Sequence, residues 1–282
     1  MDIEGREESS NVEDRRGSGG KTGLVVGGAG GIVIVVLGLI FGFDPSRFVG
    51  NGNQNDGAPR KVIPNEEELA HFAKVVFRDT EVVWDKQFKL MNRQYEKPTL
   101  VLFSGKVDSA CGRADASVGP FYCPGDSKVY IDLAFYHDLE TKLEAPGEFA
   151  RAYVIAHEVG HHVQRLLGYS KIAAEREKTM RPEDRHEMSV RLELQADYLA
   201  GVWAYYGQKE FKFLQKGDID SAFNAAKQIG DDRLQKKATG HVVPETFSHG
   251  KSEQRKRWFQ AGFETGSVPG AKQLFDLKYG DL

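Results

Sequence analysis

The chain has 282 residues, a formal net charge of −3 and 40% hydrophobic residues. That is enough apolar material for a sizeable core. The near-neutral balance argues against nucleic-acid binding, for which a clearly basic domain is expected.

Residues 1–23 are rich in charge, Ser and Gly and predict a disordered tail, because they offer almost nothing to bury. Residues 24–43 carry no charge; as a helix they would span roughly 30 Å, the thickness of a hydrocarbon core. A cleaved signal peptide would have a shorter apolar run and a small-residue cleavage site, neither of which is found before Asp44. The reading is a retained single-pass transmembrane helix in the lipid bilayer. Gly27, Gly28, Gly30 and Gly31 lack the Lys-Ser or Lys-Thr of a phosphate loop. The Gly27-x-x-x-Gly31 and Gly38-x-x-x-Gly42 spacings suit close approach of two such helices, so a homodimer through this segment is an expectation. Arg15, Arg16 and Lys21 lie closer to the segment than most of Arg47, Arg60 and Lys61 beyond it. The positive-inside rule then places the N-terminus in the cytoplasm and the folded domain outside it.

Residues 44–64 read as a flexible Gly/Pro spacer. Asn65 and Glu68 have the spacing of a capping box, and Leu69, Phe72, Ala73, Val76 and Phe77 repeat at helical spacing. A second helical pattern runs through Val82, Val83, Phe88, Leu90 and Met91 and ends before Pro98. Thr99–Phe103 and residues 129–133 predict strands. The two cysteines, Cys111 and Cys123, share the loop-rich stretch between them, and neither has a zinc-ligand spacing to a histidine. A local disulfide is the simpler reading in an oxidising compartment. Residues 119–122 either border a substrate groove as an edge segment or form a plain stapled loop.

The chemistry concentrates in Tyr153-Val-Ile-Ala-His157-Glu158-Val-Gly-His161-His162. Positions four apart share a helix face, so His157 and His161 point the same way and suit a tetrahedral zinc ion. Glu158 places a carboxylate beside the metal, where it can take a proton from zinc-bound water and pass it to a leaving amine. His162 is rotated about 100° away and is not expected to share the metal. Gly160 leaves room for a neighbouring element. A third ligand is required, and Glu193 is the candidate, with apolar Val190, Leu192, Leu194, Leu199 and Val202 around it. A surface ion pair with Arg191 or a lysine is the alternative for Glu193. Asp197, one turn later, can orient a ligating imidazole through its other N–H. Residues 171–185, densely charged, read as a solvated connection, and Asp218 as a helix cap. His249 is a candidate stabiliser of a tetrahedral intermediate, with Arg255 and Tyr153 as rivals and a backbone-satisfied loop residue as the alternative.

His157-Glu-Val-Gly-His161 followed by Glu193-Leu-Gln-Ala-Asp197 resembles the gluzincin metallopeptidases. Further stretches resemble the bacterial family described as putative neutral zinc metallopeptidases. They include Glu8-Ser-Ser-Asn-Val-Glu-Asp-Arg-Arg-Gly17, Gly119-Pro-Phe-Tyr-Cys-Pro124, Ile229-Gly-Asp-Asp-Arg-Leu-Gln235 and Gln254-Arg-x-x-Trp-Phe-x-x-Gly262. The resemblance implies a membrane-anchored zinc peptidase acting on peptide or protein substrates. It also implies Cys at the position of Tyr198 and a second Cys near the C-terminus; this chain has neither, which loosens the expected hold on residues 268–282.

The expected architecture is therefore α+β: a mainly helical, zincin-like metallopeptidase domain with a small β-sheet, over residues 65–282, behind one transmembrane helix. His157, His161 and Glu193 hold Zn²⁺ and Glu158 serves as the base. The rivals are a zinc-stabilised binding or scaffold protein without turnover, and a non-peptidase hydrolase on the same site.

Overall fold

Two near-continuous apolar runs, Thr99–Phe103 (β2) and Lys128–Asp132 (β6), form the centre of the sheet, with Leu100, Val101, Leu102, Val129 and Ile131 fully buried. Apolar side chains in consecutive positions suit a strand covered on both faces. A computed structural model describes residues 1–16, 63–115 and 118–282. The transmembrane helix expected at 24–43, with its glycine spacings, lies outside these residues. Among the described residues no helix is long and apolar enough to cross a membrane.

The sheet has four strands in the order β1 (Val12–Asp14), β2, β6, β5 (Phe121–Cys123). β1, β2 and β6 run parallel, and β5 closes one edge antiparallel to β6, with Tyr122 opposite Val129. A separate hairpin joins β3 (Lys106–Ser109) to β4 (Gly112–Asp115). Cys111 in its turn is disulfide-bonded to Cys123 at the end of β5, as the two-cysteine stretch suggests.

The helices form the larger part. α1 spans Glu66–Leu90 and α2 Ala134–Thr141; α3, with the His-Glu-x-x-His motif, spans Glu148–Leu167. α4 (Tyr169–Glu177) precedes α5, which carries Glu193 and runs His186–Phe211. α6 (Asp218–Gln228), α7 (Asp231–Thr239), α8 (Ser252–Thr265) and α9 (Gln273–Asp276) complete the set. α3, α5 and α8 enclose the site, and glycines set their spacing. A methyl group at Gly160 on α3 would lie 2.9 Å from the Ala196 carbonyl oxygen of α5. One at Gly201 would overlap the Phe259 carbonyl of α8, and one at Gly262 the Tyr198 carbonyl of α5.

Several expectations need correction. The tail is not disordered over residues 1–16: Met1 is buried, and Leu100 N–H and Arg15 N–H make ladder bonds with Asn11 and Leu102 carbonyls. Composition misled because the tail is held by polar complementarity. α1 buries the carboxylates of Asp79 and Glu81, and buried charges require partners. Arg6 pairs with Asp79, while Ser9 Oγ and Asn11 Nδ2 donate to Glu81 at 2.9 and 2.6 Å. The Asn65 cap is not formed: Asn65 has φ 55° and its side chain makes no capping bond. The two helical patterns after it are one continuous helix, α1. The strand expected at 129–133 lies one residue earlier, and α4 occupies part of the charged connection. Asp218 is the first residue of α6 rather than its cap.

The C-terminal segment is well held without a second disulfide. Tyr198 Oη donates to the Ser267 carbonyl at 2.8 Å, Gln195 Nε2 to Ala271 at 2.7 Å, and Arg191 to the Leu277 carbonyl at 3.0 Å.

Gly201→Ala should destabilise the protein by about 3 kcal/mol, because helix backbones in contact cannot absorb a methyl group. Gly280→Ala, where nothing lies within 4 Å of the added atom, should leave thermal unfolding unchanged.

Candidate metal centre

His157 and His161 sit one turn apart on α3, and Glu193 faces them from α5. Their ligand atoms all lie within 4.8 Å of one another, with His157 and Glu193 buried and His161 half-buried. The imidazole atoms left to face this point follow from what the other nitrogens do. His157 Nδ1 donates to Asp197 Oδ1 at 2.8 Å, since a carboxylate only accepts. His161 Nδ1 donates to Gln164 Oε1 at 2.9 Å; Gln164 is oriented by its own Nε2, which donates to the Leu192 carbonyl. Both Nε2 atoms therefore turn to Glu193, at 3.2 Å from Oε2 for His157 and 3.5 Å from Oε1 for His161. Ligands bound to one zinc ion at tetrahedral angles sit about 3.3 Å apart. Arg255 Nη2 also stands 3.4 Å from His157 Nε2. Two imidazole nitrogens and a carboxylate at the separations above fit a divalent cation.

Electrostatics agrees. Burial works against the charge on Glu193, yet the His161, His249 and His157 imidazoles hold its carboxyl well below the usual range. Burial also opposes a charge on His157, but Asp197 and Glu193 outweigh it and raise the imidazole to about 9. The pocket thus gathers negative charge around one imidazole, a carboxylate at each of its nitrogens. His161, dominated by burial, is lowered to about 4 and stays neutral, the form a metal ligand needs. Glu158 is pushed up to about 7 by burial and by the Glu193 charge, against the pull of His157, Arg255 and the backbone N–H of Tyr122, which donates to it.

Asp197 is the hub behind the ligands. It is fully buried and accepts from His157, from the Tyr153 hydroxyl, and from Arg255 Nε and Nη2 at 2.8 and 3.0 Å. Burial opposes its charge, and Arg255 and His157 restore it, keeping the carboxyl below its ordinary range. Tyr153 and Arg255, the rivals for stabilising an oxyanion, are both committed here.

His249 lies on the loop before α8, buried, close enough to Glu193 for the two charges to interact. Its Nδ1 is 3.1 Å from Asp231 Oδ1, and Asp231 Oδ2 also accepts the backbone N–H groups of Ser248, His249 and Gly250. Asp231, at the start of α7, was missed as a site residue; its only signal is its place in the stretch Ile229-Gly-Asp-Asp. His162 stands apart from the ligands, buried, with Nε2 donating to the Glu96 carbonyl and Nδ1 accepting from Tyr122 Oη at 3.0 Å. Tyr122 thus contacts α3 by its side chain and Glu158 by its backbone, so β5 borders the site as one of the two readings of residues 119–122 holds.

Two main helices of an α+β fold thus bring two imidazoles and a carboxylate to one point, beside Glu158, in an arrangement that could hold a metal ion. The chain belongs to the family described as putative neutral zinc metallopeptidase, whose profile matches residues 1–273. It is 43% identical over 276 residues to the uncharacterized protein YpfJ of Escherichia coli K12, covering 94% of this chain and 96% of that one. It is also 43% identical over 192 residues to the uncharacterized protein Rv2575 of Mycobacterium tuberculosis, 64% of either chain. No solved structure matches.

Asp197→Asn should weaken zinc binding by about 10–100-fold, measured by competition with a chromophoric chelator. Unchanged affinity would show that Asp197 does not orient His157.

Proposed function

We propose that the protein is a zinc-dependent metallopeptidase hydrolysing peptide bonds, attached to the bacterial membrane through residues 24–43 with its catalytic domain outside the cytoplasm. The observation that carries the reading is the convergence of His157 Nε2, His161 Nε2 and the Glu193 carboxylate, with Glu158 adjacent and both Nδ1 atoms otherwise engaged. The Cys111–Cys123 disulfide supports the compartment.

His157, His161 and Glu193 would hold the ion. When bound, zinc supplies Lewis acidity toward a peptide carbonyl and lowers the pKa of a coordinated water to about 7. The remaining work belongs to the chain. Glu158, its carboxylate held by the Tyr122 N–H, accepts the proton of the attacking water and returns it to the leaving amine nitrogen. Among the described residues β5 pairs with a strand on one side only, and an extended peptide can pair with its other side through backbone groups not already engaged by Glu158. His249, its ring fixed through Nδ1 by Asp231, uses Nε2 to donate to the oxyanion of the tetrahedral intermediate.

Glu158→Gln should keep its zinc, measured by elemental analysis, and lose about 10²–10⁴-fold in cleavage of an unfolded protein substrate. Equal turnover by both proteins would remove Glu158 as the base. His249→Ala should lower kcat by about 10²-fold with KM little changed; unaltered kcat would return His249 to a structural role.

A further inference from the structure

The N-terminal tail and the catalytic domain are one folded body, and this conflicts with a single membrane crossing between them. Attachments run along the whole tail. The Met1 ammonium lies 3.2 Å from Glu148 and 3.1 Å from Asp218, at the starts of α3 and α6. Arg6 pairs with Asp79, Glu8 with His71 at 2.7 Å, and Ser9 and Asn11 with Glu81. β1 then adds to the sheet beside β2 in parallel register. Finally Arg16 reaches Glu66 and Glu67 on the first turn of α1, at 3.5 and 3.1 Å. Arg16 and Ile63, the described residues on either side of 17–62, therefore both lie by the start of α1.

A helix crossing once would separate these flanks by a hydrocarbon layer of roughly 30 Å. It would strip Asp79 of its Arg6 partner, Glu81 of two hydrogen bonds and β2 of a strand. Crossing twice would take about 40 apolar residues, and the uncharged run between the flanks is 24–43. The charge asymmetry of Arg15, Arg16 and Lys21 presumes flanks on opposite sides, yet Arg15 and Arg16 are occupied by Glu13 and Asp14 at the domain surface.

We propose that residues 1–16 and 63–282 lie on the same side of the bilayer to which the chain is attached. The proposal rests on the membrane attachment inferred above, and its test separates the two. Ser10 and Lys278 are exposed, on the tail and near the C-terminus. The chain's two cysteines are bonded to each other, so introduced thiols have no background. Full-length Ser10→Cys and Lys278→Cys variants would be labelled with a membrane-impermeant maleimide on intact spheroplasts and on inverted vesicles. Both sites should label from one face and be protected from the other. Labelling from opposite faces, or of either site from both, would overturn the shared side. Alkaline carbonate extraction of the same membranes should leave the protein in the pellet; complete release would overturn the membrane attachment inferred above while leaving the peptidase reading intact.

Discussion

A single buried carboxylate, Asp197, governs how this domain assembles. An ionised carboxylate without water is tolerable only when its oxygens are filled. Asp197, on α5, fills them with groups from two other helices: Tyr153 and His157 of α3 and Arg255 of α8. Each bond fixes the rotation of one helix relative to the others. The orientation of His157 is thus a by-product of satisfying a charge. Gly160, Gly201 and Gly262 let the backbones come close enough for these short side chains to meet.

The same device recurs away from the site. Asp231 gathers three backbone N–H groups and the His249 ring, converting a loop into a fixed mount for an imidazole. Glu81 and Asp79 do this for the tail. Buried acids here organise segments that have too little apolar surface to be held by packing alone.

This explains what the sequence did and did not reveal. His157, His161, Glu193 and Asp197 were legible because helix periodicity converts spacing into geometry: four residues apart means one face. The central strands were legible from their apolar runs, and the disulfide from the isolation of its two cysteines. The mount of His249 was not, because Asp231 and His249 are brought together by tertiary packing of α7 against the loop before α8. The tail was misread for a related reason. Composition counts apolar residues, whereas Ser9, Asn11 and Arg6 are held by specific partners on α1. Asn65 carries a capping-box pattern but adopts a left-handed conformation, which removes the geometry that a cap requires.

The placement of β1 has a consequence for how the molecule meets its neighbours. An open sheet offers two margins on which a foreign strand can add. At one, β1 is only three residues long and bears Glu13 and Asp14, with Arg15 and Arg16 just after it; short, charged strands discourage such addition. The opposite margin is β5, which among the described residues pairs only with β6. Losing the first sixteen residues would unmask the longer and mostly apolar flank of β2, and the foreseeable harm is self-association of the protein.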